Sequence, residues 1–545
     1  MLYFHRVRFL GVVSFGAAAL ILLPILAVLA SVFGPASETW MHLARTVLGT
    51  YVLNTALLTG GVAAGVVSMG VLTAWLVTAY SFPGRRVLEW ALVLPLAMPA
   101  YVMAYAYTDW LQFAGPVQSA LRAATGWQAR EYWFPDVRSL PGAVVLLALA
   151  LYPYVYLLAR TAFVDVSRSA LEAARLAGLG AWGGFRRVAL PIARPAVAAG
   201  TTLALMETLA DFGTVSYFGL EVFTTGIFKV WMSMGDVAAA AQLSACLLVF
   251  VAALIAIERA SRGRAAYASA TRKRSSLQRL TGASAWFAFT ACAVPVLLGF
   301  VLPAVLLANL AWGEPVSSAR LWALVGNSFT LAGIAAVLSV ALATAMAYAA
   351  RLARGPVAGT VALANRAASL GYAIPGAVIA VGVLVPLGRL DNWIADGIEA
   401  AMGVTPGLLL TGTILALVYA YLVRFLAVAL QAVEAGLAKI TPRMDDAARS
   451  LGASPAKALA RVHAPLLASS LASAALLLFV DVMKELPATF ALRPFNFDTL
   501  AIEAYNLAKD ERLGEAAAPS LVIVLIGLVP LLIVTRRYMS GTGPE

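Results

Sequence analysis

The sequence predicts an all-α polytopic membrane protein of about twelve transmembrane helices, arranged as two parallel six-helix repeats. Three observations predict it. Of the 545 residues, 61% are hydrophobic and only 12% are charged, too few charges to cover a soluble chain of this length. Uncharged runs of 29, 21 and 20 residues occupy 9–37, 237–257 and 516–535, and a helix needs about 20 apolar residues to cross the hydrocarbon core. Local markers also recur at a near-constant offset of 273 to 276 residues. Asn54-Thr55 matches Asn327-Ser328, Pro99-Ala100 matches Pro375-Gly376, and Glu207/Asp211 matches Asp481/Glu485, which is the mark of an internal repeat.

The first apolar run follows Arg6 and Arg8. It exceeds a signal-peptide core of about 7–15 residues and lacks a clear small-residue cleavage site, so it reads as a retained first span. Spans are expected near 9–33, 51–80, 88–110, 141–160, 190–212 and 238–258, then near 282–311, 325–350, 361–386, 407–428, 464–490 and 516–535. The fifth and eleventh are the weakest, because Glu207, Asp211, Asp481, Lys484 and Glu485 interrupt them. An even number of spans per half gives both halves the same orientation, a repeat about an axis along the membrane normal.

With the N-terminus on the cytoplasmic side, loops on the far side hold ten of the 39 Lys and Arg, while 28 fall on inner segments or inner span ends. That bias follows the positive-inside rule and accounts for the net charge of +12 without nucleic acid. The C-terminus is then cytoplasmic too. The polar, basic stretch around 259–281 is a linker between a first half, 1–258, and a second half, 282–545. Cys246 and Cys292 lie in separate apolar runs and carry no redox or metal motif. His5 and His42 fall on opposite predicted sides, and His463 beside Pro465 reads as interfacial.

After the fourth span come Glu172-Ala173-Ala174, then Gly178, then Pro191. After the tenth come Asp446-Ala447-Ala448, then Gly452, then Pro465. Acid to Gly is six residues and Gly to Pro thirteen in both copies. Each reads as a short surface helix. Ser169-x-x-Glu172 forms a capping box, and Thr441 can cap with Pro442 at the first helical position. The alanine pair permits close approach of another surface. Gly178 and Gly452 supply the positive φ that ends a helix, and Pro191 and Pro465 mark where the next span begins.

These two loops resemble the EAA loop of ABC-importer permeases, with Asp446 for Glu, Val for Ile in both copies and Ala464 for Leu. The resemblance implies that Glu172, Ala173, Ala174, Gly178, Pro191, Asp446, Ala447, Ala448, Gly452 and Pro465 build coupling helices. Those helices dock two copies of a cytoplasmic ABC ATPase. None of the six lysines follows a Gly in the G-K-[ST] pattern of a phosphate-binding loop. The chain is therefore expected to be a transport subunit rather than an enzyme, with no cofactor of its own, ATP and Mg being bound by its partners.

Nearly the whole chain is similar to ferric-iron importers. The similarity is carried by Met206–Thr214, Gly371–Ala377, Tyr421–Phe425, Asp481–Thr489, Arg493–Thr499 and Asp510–Glu515. It implies a bacterial inner-membrane location and a periplasmic substrate-binding protein that delivers Fe(3+). Fused permeases for thiamine or an aminoethylphosphonate-type solute share this architecture and stay open as alternatives, as does an ion-coupled secondary transporter.

Intramembrane carboxylates are costly and usually face a bundle interior. Glu207 and Asp211 are four residues apart on one helix face, as are Asp481 and Glu485. Two readings follow: the four acids border the outer half of the solute pathway, or they cap helices and pair with Lys484. Tyr101, Tyr105, Tyr107, Tyr152, Tyr154 and Tyr156 read as an interfacial aromatic belt. The outer loop 112–140, with Trp127, Arg130, Glu131 and Trp133, is a solvated loop or a contact for the binding protein.

Overall fold

A computed structural model describes the chain except for Met1, Ala36, 129–130, 167–171, Arg175, 263–276, 315–316 and 541–545; for 2–10, Arg262 and 534–540 it describes the backbone alone. Ser169 of the expected capping box, Arg130 and most of the linker therefore lie outside the described residues.

Among the described residues, eleven helices are long and apolar enough to cross a membrane, and a bent pair, Arg85–Ala97 with Ala100–Thr125, makes up to twelve. The chain is an all-α, multi-pass membrane protein. The described strands are a two-residue parallel pairing of Tyr80–Ser81 with Gln278–Arg279, which fastens the end of the linker to the end of the second span.

Two expected spans are corrected. The reading of 88–110 and 361–386 as single helices runs through breaks that the structure places at Pro99 and Pro375. The chain bends by 93° at the first of these. Both prolines are N-caps with extended backbone, φ −59°, ψ 139° and φ −58°, ψ 142°. Proline lacks the N–H to continue a helix and its ring clashes with the preceding turn. The second-half helix then starts at Gly376 and runs to Met402.

The residues form two compact units. One comprises Met1–His42, Gly226–Cys246 and Ser317–Glu503; the other comprises Leu43–Thr225, Leu247–Val316 and Ala504–Glu545. Each unit draws residues from both of the expected halves, 1–258 and 282–545. In the first unit, helix Leu2–Ser31 lies against Ser318–Leu352, Pro356–Ala368 and Gly376–Met402, burying Ala17, Ala18, Ile21 and Val28. In the second, helix Leu513–Ser540 packs on Leu302–Gly313.

Lipid supplies no hydrophobic drive between helices, so close backbone approach through small residues does the work. Helices Leu48–Ala79 and Leu140–Asp165 show this. A Cβ added to Gly70 would stand 2.6 Å from Val155 Cβ. On the faces turned away from these contacts, Leu20, Leu26, Leu53 and Leu57 are exposed, as lipid-facing positions should be.

The aromatic-belt reading is also corrected. Tyr101, Tyr105, Tyr107, Tyr152 and Tyr156 are buried within their unit. Tyr107 and Tyr156 donate to backbone carbonyls of Leu298 and Glu89, both at 2.6 Å, because a buried hydroxyl needs an internal acceptor. Tyr154 is half-buried.

Candidate functional site

The two repeated loops fold alike. In the first, Leu179 N–H donates to Ala174 O at 3.0 Å; in the second, Ala453 N–H donates to Ala448 O at 3.0 Å. Between donor and acceptor sit Gly178, φ +80°, and Gly452, φ +74°. This six-to-one bond closed by a left-handed glycine is the Schellman stop, the helix end that the spacing implies. Ala174 and Ala448 are buried beneath the loop helices, whereas Leu176 is 91% exposed and Leu451 88% exposed next to the glycines. Each loop therefore presents a large apolar side chain to its surroundings.

Thr441 is the N-cap of Pro442–Ser450 by backbone geometry, but its hydroxyl makes no capping bond. Asp446 pairs with Arg449 on the helix surface. Beyond the glycine, helix resumes at Ala181 and Pro455, ahead of the prolines expected to open the next span. Pro191 and Pro465 instead sit inside continuous helical runs. Just before each, the chain widens into a π-type turn, Phe185–Ala189 and Leu459–His463. Leu190 N–H reaches Phe185 O, and Ala464 N–H reaches Leu459 O. A wider turn shifts the hydrogen-bond ladder by one residue, which accommodates a proline without ending the helix. His463 is corrected from interfacial to buried: its Nε2 lies 2.7 Å from Asp445 Oδ1.

The acidic pairs mark where the fifth and eleventh spans stop. Asp211 ends helix Leu190–Ala210 and accepts from Thr214 Oγ1 at 3.0 Å and Val215 N–H at 3.1 Å. Glu485 does the same in the other repeat, accepting from Ala488 N–H and Thr489 N–H, both at 2.9 Å. Its carboxylate is buried and also faces Arg424, with Nη1 3.6 Å from Oε1. Lys484 pairs with Asp481 at 2.9 Å. Glu207 is partly buried one turn before Asp211. Among the described residues, no three His, Cys, Asp or Glu gather where they could hold a metal ion.

The segments after these stops are pinned by the repeated Asn-Thr/Ser pair, a role that sequence reading missed. Asn54 Nδ2 donates to Glu221 O at 2.9 Å, and Thr55 Oγ1 accepts from Phe223 N–H at 3.3 Å. In the other unit Asn327 Nδ2 donates to Asp498 O at 3.0 Å, and Ser328 Oγ accepts from Leu500 N–H at 2.9 Å. The recurrence of the pair was the available signal; its partners lie some 170 residues away and carry no local pattern.

Residues 66–267, which contain the first loop, match the family model described as binding-protein-dependent transport system inner membrane component. Relatives align along most of the chain. Fe(3+)-transport system permease protein FbpB 2 of Haemophilus influenzae is 24% identical over 465 residues, 84% of this chain and 84% of its own. Probable ABC transporter permease protein y4fN of Sinorhizobium fredii is 25% identical over 498 residues, 86% of this chain and 83% of its own. Molybdenum transport system permease protein ModB of Escherichia coli is 28% identical over 183 residues, 32% of this chain and 76% of its own.

Proposed function

We propose, for a chain whose residues 66–267 match the family model of binding-protein-dependent transport system inner membrane components, that it is the fused permease of an ATP-driven ferric-iron importer. The observation that carries the importer class is the paired loop: the same acid-Ala-Ala, Gly and Pro spacing and the same left-handed glycine stop, once in each half, each with an exposed leucine within two residues of the glycine. An ion-coupled carrier has no use for two such docking elements. The iron assignment rests on similarity to an Fe(3+)-transport permease along 84% of both chains.

In this reading the chain sits in the bacterial inner membrane with both termini in the cytoplasm, as its basic residues favour. Two ATPase subunits bind Glu172–Gly178 and Asp446–Gly452, with Leu176 and Leu451 filling apolar pockets on them. A loaded periplasmic binding protein docks on the opposite side and releases Fe(3+) as substrate. Closure of the ATPase pair moves both loops, and the spans that follow them, which run unbroken through Pro191 and Pro465, carry the motion inward. The breaks bearing Glu207, Asp211, Asp481 and Glu485 border the solute path, with the carboxylates of Asp211 and Glu485 holding the turns there in place. This chain performs no chemistry; it converts loop displacement into access.

Affinity purification of the tagged chain from its native membrane tests the importer class. A co-purifying ATP-hydrolysing subunit, at two copies per chain, is expected, and Leu176→Asp with Leu451→Asp should release it. A stable chain that hydrolyses no ATP in any complex, yet moves solute on an ion gradient, would favour the secondary-transporter reading.

A further inference from the structure

The two loops are braced on their spans by different chemistry. Beneath the second, Arg351 stands in the last turn of helix Ser318–Leu352. Its Nη1 donates to Leu437 O at 2.8 Å and its Nη2 to Ile440 O at 2.9 Å, covering the end of helix Ile414–Leu437. The same guanidinium grips Asp445 Oδ2, Nη2 at 2.8 Å and Nε at 3.0 Å. His463, in the wide turn beyond the loop, stands with Nε2 2.7 Å from the other oxygen of Asp445. Tyr348 completes the joint: its hydroxyl donates to Pro455 O at 2.9 Å and its ring lies 5.5 Å from His463. Through Arg351 and His463 the Asp445 carboxylate thus connects the loop helix to helix Ser318–Leu352, to the end of helix Ile414–Leu437 and to the span that follows the loop.

The first loop has nothing of the kind at the matching positions. Counting back 274 residues, Tyr348, Arg351 and His463 become Ala74, Val77 and Ala189, all fully buried; Asp445 becomes Leu171, outside the described residues. There, Trp75 packs on Phe163 at 5.3 Å and Phe185 at 5.1 Å, and Trp182 on Phe185 at 5.4 Å. Charge-assisted hydrogen bonds fix both distance and direction. Aromatic pairs prefer offset or edge-to-face geometry only modestly beyond burial, a weaker directional constraint than a charge-assisted bond.

We infer that Arg351, Asp445 and His463 are positioning residues that make the second loop a rigid lever on its spans, while the first loop rides on a compliant aromatic bearing. The two loops are then not interchangeable in transmitting ATPase closure. Asp445 is suited to this because it lies beside the motif acid yet faces inward, leaving Asp446 on the docking surface. The inference rests on reading these loops as ATPase-docking elements.

The test reconstitutes the complete complex, with ATPase and loaded binding protein, in proteoliposomes and counts labelled Fe(3+) imported per ATP hydrolysed. Asp445→Asn and His463→Gln should lower that ratio by about five- to tenfold, the span of coupling changes expected from one joint, with the ATPase still bound and hydrolysing. Asp445→Glu should restore much of it, which a general loss of stability would not allow. Phe185→Leu, in the bearing of the first loop, should lower thermal stability but leave the ratio within about twofold. If Asp445→Asn fails to insert, Arg351→Lys reads the same ratio. Wild-type ratios in the Asp445 and His463 variants, or an equal fall in Phe185→Leu, would overturn the inference. An intact chain that retains no ATPase would instead remove the docking reading on which it stands.

Discussion

Arg138 and Glu511 lie 373 residues apart in sequence and meet in a two-bond pair, Nη1 to Oε1 at 2.8 Å and Nη2 to Oε2 at 2.9 Å. Arg138 also donates to Tyr217 Oη at 3.1 Å and stacks over that ring. Glu511 takes a left-handed backbone, φ +61°, so its loop spends conformational energy to present the carboxylate. The pair joins the segment entering the fourth span to the one entering the last.

That pair makes stability depend on pH. The hydrogen bonds from Arg138 hold Glu511 below the usual carboxylate range, against a smaller opposing effect of burial. A depressed carboxylate contributes stability above its unfolded value, near about 4.3, and loses it as pH falls through the folded value. Arg138→Gln should therefore lower stability at pH 7, by well under about 1 kcal/mol for so exposed a pair. The gap from wild type should narrow as the pH falls below the unfolded carboxylate value of about 4.3. A gap unchanged with pH would show that Arg138 acts through packing on Tyr217 alone.

The glycine stops give a second prediction. A Cβ on Gly178 or Gly452 would meet nothing within 4 Å, so substitution strains only the backbone, at about 1–2 kcal/mol for a residue held left-handed. Gly178→Ala with Gly452→Ala should insert normally and retain its thermal midpoint within a few degrees, yet copurify less ATPase. Full ATPase retention would separate the glycine stop from docking.

Arg424 and Glu485 are both buried, and Glu485 is further held by Thr489, whose hydroxyl donates at 2.6 Å. Removing one partner of a buried pair costs about 3–5 kcal/mol, because the other charge is stranded. Arg424→Leu should be strongly destabilised in detergent, and Glu485→Gln less so, since the amide keeps one acceptor for the capping N–H groups. Size-exclusion melting curves would rank them; the reverse order would point to the cap rather than the pair as the dominant interaction.

Asn54 and Asn327 should behave as twins. Asn54→Ala or Asn327→Ala loses the bond to Glu221 O or Asp498 O and should cost about 1 kcal/mol each. Because the two bonds share no partner, the double variant should show the sum. Proteolysis of the 219–225 and 494–500 segments, read separately, would report which pin has been drawn.

Much of this was legible in the sequence because it depends on local pattern. Apolar run length reported the spans, and the recurring Gly178 and Gly452 reported helix stops that need positive φ. Pro99 and Pro375 were legible as repeat markers but not as breaks, since the apolar run continues unbroken through both. The capping by Asp211 and Glu485 could be posed as one of two readings, because an acid four residues before Val215 or Thr489 fits either. The Arg351–Asp445–His463 joint was hidden: its members are spaced 94 and 18 residues apart, and nothing local to any of them signals the others. Likewise the buried tyrosines looked like a belt because hydropathy reports depth in the membrane, not which face of a helix meets protein.

The most direct test of the account is labelled ferric-iron uptake by iron-starved cells lacking this gene, complemented with the intact chain or with Gly178→Pro/Gly452→Pro. The account predicts uptake restored by the intact chain and abolished in the variant despite normal insertion. Failure of the intact chain to restore uptake while its partners are present would contradict the iron assignment, and thiamine and aminoethylphosphonate uptake would be the next to measure.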